Sequence, residues 1–147
     1  MEDGISMTLY EKLRTKTIVL LDTDPWIRDS LSLLFQCEVC RFLPFDNVAD
    51  GIRAVETDRC DIIICDYGMP GMDGVTFLRE AGRFQPGAIR ILIAGYPVGE
   101  MADIASRAGI HDCLQKPFTL DALETMLGGL IDKIPAEIGQ SAENRAG

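Results

Sequence analysis

A chain of 147 residues with 47% apolar and 25% charged side chains suits one domain with a buried core. None of its apolar runs reaches the ~20 residues that span a bilayer. The formal charge of −9 speaks against a direct nucleic-acid partner, because phosphate binding calls for a basic surface. The Met-Glu-Asp-Gly start lacks the basic-then-apolar order of a signal peptide, so the cysteines read as reduced thiols and the expected location is the cytoplasm.

Apolar runs of strand length alternate with stretches of helical spacing. Residues 1–16 precede the first run as an N-terminal extension, with Leu9, Tyr10 and Leu13 read as a frayed helix. Thr17 to Leu21 is the first predicted strand, followed by a helix on Ile27, Leu31 and Leu34. A weaker strand from Val39 to Leu43 precedes a helix on Val48, Ile52 and Val55. Ile62 to Cys65 is the third strand, with Val75, Leu78 and Ala81 along the helix after it. Ile89 to Ile93 is the fourth, followed by a short helix on Met101, Ala105 and Ala108. Cys113-Leu114 is the fifth, and Leu123, Met126, Leu127 and Leu130 mark the last helix. Residues 134–147 read as a C-terminal tail, leaving 17–133 as the domain.

Five such units predict an α/β fold: a doubly wound, five-stranded parallel sheet of the flavodoxin-like class. Continuous rather than alternating apolar strands agree with burial on both faces. Cys37 and Cys40 match C-x-x-C in letters, but no second pair stands nearby and His111 is the sole histidine, so a zinc or redox role is not expected.

The chemistry gathers where the strands end. Adjacent parallel strands would bring Asp22 and Asp66 together at the carboxyl edge, where open α/β sheets build their sites. Two such carboxylates repel unless a proton or a cation intervenes. Mg²⁺ takes oxygen ligands of this kind. A carboxylate in the cluster can act as nucleophile toward phosphorus. Lys116, after the last strand, supplies a point charge for a phosphoryl oxygen. Asp24 before Pro25 reads as a helix cap ahead of a metal contact, Asp73 as the cap of the following helix, and Trp26 as lying near the pocket mouth.

The run Asp66-Tyr67-Gly68-Met69-Pro70-Gly71-Met72-Asp73-Gly74, with Asp22 upstream and Lys116-Pro117-Phe118 fifty residues past Asp66, resembles the receiver domains of two-component response regulators. The resemblance covers residues 17 to 132 and rests on the two motifs together at this spacing. It implies Asp66 as phosphoacceptor, Lys116 as phosphoryl contact, and Mg²⁺ held by Asp22, Asp66 and the Gly68 carbonyl, with Asp24 a further candidate. It also implies a cis bond before Pro117. The implied partners are a histidine kinase or phosphotransfer protein, then a downstream protein or a second copy bound through the face of the fourth helix, fifth strand and fifth helix.

Three positions depart from the pattern. Thr23 stands where the family has a second acid, which predicts weakened Mg²⁺ affinity. Ala94 replaces the hydroxyl residue that ends the fourth strand. Cys113, expected at the centre of the partner face, replaces an aromatic residue. An unphosphorylated receiver acting as a constitutive interaction module is the alternative these departures suggest. A haloacid-dehalogenase-type phosphatase is a weaker one, since Asp22-Thr23-Asp24 matches its D-x-D motif but Trp26 and the lack of a late carboxylate cluster do not fit.

Overall fold

Strand side chains alternate between two faces, and here both faces are apolar. In the computed structural model, which describes residues 8–36 and 40–133, that alternation divides the core into two layers. Val19, Leu21, Ile63, Cys65 and Leu92 face one layer, and Ile18, Leu20, Ile62, Ile64 and Ile91 face the other. The strands are β1 (Thr17–Leu21), β2 (Arg41–Phe45), β3 (Ile62–Asp66), β4 (Ile89–Ala94) and β5 (Asp112–Gln115). They form one all-parallel sheet in the order β2-β1-β3-β4-β5. This is the doubly wound α/β fold that the alternation predicts. Pro44, which has no N–H to give a ladder, lies on the edge strand β2.

The helices are α1 (Leu9–Lys12), α2 (Pro25–Leu34), α3 (Val48–Thr57), α4 (Gly74–Phe84), α5 (Val98–Arg107) and α6 (Leu120–Lys133). Helices α3, α4 and α5 cover one face through Val55, Leu78 and Met101. The other face is covered by α2 and α6, through Leu31, Leu123 and Leu127, and by Leu13 at the end of α1. Predicted and observed strands agree within a residue except at β2, which begins at Arg41; Val39 and Cys37 lie outside the described residues. Cys40 stands just before β2 and donates to the Phe35 carbonyl at 3.1 Å.

The segment read as a frayed helix forms the single-turn α1. A capping box closes the start of α1: the Thr8 side chain accepts from Glu11 N–H, and the Glu11 carboxylate takes the Thr8 N–H. Packed against α6, this short helix is held by Tyr10 Oη donating to Glu124 at 2.7 Å and by a Lys12–Asp132 ion pair at 2.6 Å. Leu13, its C-cap, is fully buried. Tertiary contacts, rather than its single turn, keep it formed.

Candidate functional site at the carboxyl edge of the sheet

β1 and β3 are neighbours, so Asp22, one residue past β1, and Asp66, the last residue of β3, meet at the carboxyl edge. Asp22 is fully buried and Asp66 nearly so. Between them stands Lys116 Nζ, 3.0 Å from Asp22 Oδ2, 3.3 Å from Asp22 Oδ1 and 3.2 Å from Asp66 Oδ1. The lysine follows β5, and its own N–H donates to the Ala94 carbonyl at 2.8 Å, which fixes where its stem begins. The bond from Lys116 to Pro117 is cis.

Burial pushes the Asp22 carboxyl above its ordinary value. The Asp24 N–H and the Lys116 ammonium oppose that shift without reversing it, and the Asp66 charge adds to it. Burial also pulls on Lys116, downward, but its hydrogen bond to Asp22 and the field of both carboxylates outweigh this and hold the ammonium above its usual range. Asp22 Oδ1 accepts from Asp24 N–H at 2.9 Å. Asp22 Oδ2 meets the ammonium too obliquely for a hydrogen bond, although the two lie within ion-pair distance.

This buried carboxylate oxygen, ion-paired to Lys116 but without a hydrogen bond, is the observation that fits a hard cation here. Asp22 and Asp66 are the carboxylates that would hold Mg²⁺, with the Gly68 carbonyl as a neutral ligand from the loop after β3. Gly68 stands in that loop beside Asp66: a Cβ placed on it would lie 3.5 Å from Asp66 Oδ2. Among the described residues no cluster of three or more acids, histidines or cysteines forms a ready-made metal site.

The remaining predicted positions fall as follows. Asp24 caps α2, its Oδ1 accepting from Trp26 N–H at 2.9 Å, and Asp73 caps α4 through Thr76 N–H at 2.9 Å. Thr23 is exposed, whereas Ala94 and Cys113 are buried in the layer beneath α3, α4 and α5. Cys113 therefore sits under the α5–β5–α6 face instead of presenting its side chain at the centre of it; an adjoining cavity of about 190 Å³ is lined by Ala105, Ile110 and Cys113. Burial raises the thiols of Cys65 and Cys113, and that of Cys60 to about 11, which keeps them protonated at neutral pH. Trp26 is 80% exposed and lines a cleft of about 490 Å³ with Ile27, Pro117, Phe118 and Lys116.

Three features of the site have no signature in periodicity or spacing. Arg28 reaches back from α2 to donate to the Asp22 carbonyl at 2.8 Å. Gly74 is pressed against the backbone of Asp66, where a Cβ would lie 2.4 Å from the Asp66 carbonyl oxygen. The rings of Tyr67 and Tyr96 meet edge to face with centroids 5.8 Å apart. The D-G pair opening α4 was the one hint at Gly74.

A parallel sheet in this order joins two acids and a lysine at its carboxyl edge. The chain belongs to the response regulator receiver domain family, whose model matches residues 18–128. Among curated relatives, it is 31% identical over 110 residues to the C4-dicarboxylate transport transcriptional regulatory protein DctD of Pseudomonas aeruginosa, covering 72% of this chain and 23% of that one. It is 28% identical over 114 residues to the transcriptional regulatory protein FixJ of Bradyrhizobium diazoefficiens, covering 78% and 56%. The chain spans about a quarter of the length of the first such relatives. Its fold is similar to that of a CheY-like receiver domain protein from Methanospirillum hungatei (TM-score 0.76, 24% identity, 83% of this chain and 98% of that one). Among the described residues no helix is long and apolar enough to cross a membrane.

Proposed function

We propose that this chain is a phosphoacceptor in a phosphorelay, with Asp66 as the residue that takes the phosphoryl group. The observation that carries the reading is the Asp22–Lys116–Asp66 contact: a nucleophilic carboxylate at a strand end, with a cation 3.2 Å away to meet phosphoryl charge. A histidine kinase or phosphotransfer protein is the donor. An Asp66 carboxylate oxygen attacks phosphorus, the bond from phosphorus to the donor imidazole nitrogen breaks, and the electron pair leaves with that nitrogen. Bound Mg²⁺ supplies neutralisation of the phosphoryl oxygens. Asp22 holds negative charge beside the acceptor, while Lys116 is placed to move from the carboxylate pair to a phosphoryl oxygen. The output is a changed protein–protein surface on α5, β5 and α6, offered to a downstream protein or a second copy.

The constitutive, unphosphorylated module remains a second reading, because Ala94 and Cys113 are buried as ordinary core and offer neither hydroxyl nor ring. Intact-mass spectrometry after incubation with acetyl phosphate and Mg²⁺ separates the two. The expected result is a gain of one phosphoryl group that is absent in Asp66→Asn. An unchanged mass in the parent chain, under conditions that load a known receiver, would favour the constitutive module.

Weak Mg²⁺ binding is part of the proposal, since Thr23 brings no charge and Asp24 is engaged as a cap. Thr23→Asp should tighten Mg²⁺ severalfold in a titration followed by emission of Trp26, which shares a cleft with Lys116. Equal affinities in parent and variant would mean that the exposed position 23 does not reach the ion.

A further inference from the structure

The β3–α4 loop carries Asp66 and Tyr67, and the β4–α5 loop carries Gly95, Tyr96 and Pro97. Gly95 has no side chain, and the space around it is open to 4 Å. Pro97 is the N-cap of α5 and makes no side-chain cap bond. Ala94, which ends β4, has only a methyl group. Tyr96 bridges to the phosphoacceptor loop by standing edge-on to Tyr67 at 5.8 Å and 87°.

The two rings differ in how they are held. Tyr67 packs against the core layer under α3, α4 and α5. Its backbone is tied on both sides, its N–H to the Ile93 carbonyl at 2.7 Å and its carbonyl to Gly74 N–H at 2.9 Å. Tyr96 is 55% exposed and directly precedes the cap of α5. A displacement of the backbone at Asp66 thus reaches Tyr67 through one covalent link, and the ring contact adds a side-chain route from there to the loop before α5, beside the backbone bond from Tyr67 to Ile93.

We infer that the Tyr67–Tyr96 pair is the coupling element between Asp66 and α5 in this chain, with Tyr96 a positioning residue for the start of α5. Ala94 and Cys113, with neither hydroxyl nor ring, offer no such contact. The signalling half of this inference rests on Asp66 as phosphoacceptor; the mechanical half does not.

Hydrogen exchange tests the mechanical half. Loss of an aromatic pair should speed exchange of the amides in the first turns of α5 roughly two- to tenfold. The expected pattern is this increase in Tyr96→Ala and in Tyr67→Leu, none in Tyr96→Phe, and no further increase in the Tyr67→Leu/Tyr96→Ala double variant, with the amides of β1 and β3 unchanged. Exchange in α5 that ignores Tyr96→Ala, or single effects that add in the double variant, would overturn the inference.

The signalling half is read from backbone chemical shifts with beryllofluoride and Mg²⁺. The loop after Asp66 should shift in the parent, Tyr96→Phe and Tyr96→Ala, whereas α5 should shift in the first two and stay still in the last. An α5 response retained in Tyr96→Ala refutes the coupling role while leaving Asp66 as acceptor. No response at the Asp66 loop in the parent chain refutes the acceptor reading and with it the signalling half, and leaves the exchange data to judge the rings.

Discussion

Lys116→Met should destabilise the protein by about 2–4 kcal/mol at neutral pH, measured by denaturant unfolding. Methionine keeps most of the stem's volume, so the loss isolates the ammonium. Removing it leaves Asp22, fully buried, and Asp66, nearly so, facing each other without a cation. The figure sits toward the lower end for a broken buried pair because the lysine is 24% exposed and solvent screens part of its charge.

The pH dependence gives this prediction a sign. Burial holds the Asp22 carboxyl above its ordinary 3.8, so the folded state binds a proton that the unfolded chain releases. The ionised group thus costs stability above its raised folded value, and that cost disappears as the pH falls toward 3.8. In Lys116→Met the cost is larger, so its deficit against the parent should shrink on acidification and also on adding Mg²⁺ at neutral pH. For the parent, the Lys116 contribution runs the other way. It is present below the ordinary lysine value of 10.5 and is lost as the pH rises through the elevated folded value. A deficit in Lys116→Met that is constant from acid to neutral pH would show that packing, and not charge, is what the lysine supplies.

Gly74→Ala is the second large effect. In an exposed helix alanine would normally gain up to about 1 kcal/mol over glycine. At position 74 its Cβ would lie 2.4 Å from the Asp66 carbonyl oxygen, 2.8 Å from the Asp66 carbonyl carbon and 2.9 Å from Tyr67 Cα, all of them backbone. Backbone cannot swing aside as a side-chain tip can, so the loop or the start of α4 must shift, at a net cost of about 2 kcal/mol or more. Phosphoryl uptake should fall with it, since the displaced atoms belong to Asp66, the proposed acceptor. Gly128→Ala and Gly129→Ala are the matched controls. Both lie inside α6 with nothing within 4 Å of the added carbon, and each should stabilise by about 0.5–1 kcal/mol. If Gly74→Ala behaves as these two do, the close approach at Asp66 is relieved without consequence.

The contrast between those glycines shows what a sequence can and cannot carry. The strands and the placement of Asp22 and Asp66 at strand ends were legible because parallel strands buried on both faces leave long apolar runs, and such runs end at the edge where polar groups resume. Lys116 was legible only through its Pro117-Phe118 neighbours and its distance from Asp66; alone it would be a surface lysine. The cap roles of Asp24 and Asp73 followed from local chemistry that a few residues specify completely. Contacts between elements and loops left no such trace. Arg28 at the Asp22 carbonyl, Tyr67 against Tyr96, and Arg90 crowding the space above Gly82 depend on how loops and helices settle after the sheet forms. The burial of Cys113 beneath α5, where a surface position was expected, belongs with them.

The first helix has a practical bearing on where this protein can be cut. A fragment starting at Thr17 would retain every strand and both acids, and so would look complete by any count of β-α units. It would also lack Leu13, which has no exposed surface, and with it the partners of Glu124 and Asp132 on α6. The apolar surface that Leu13 covers would then meet solvent, and the loss of one buried leucine costs about 2–5 kcal/mol when made by substitution. Poor yield or sluggish spectra from such a fragment would then report on the missing plug and say nothing about the signalling competence of the intact chain.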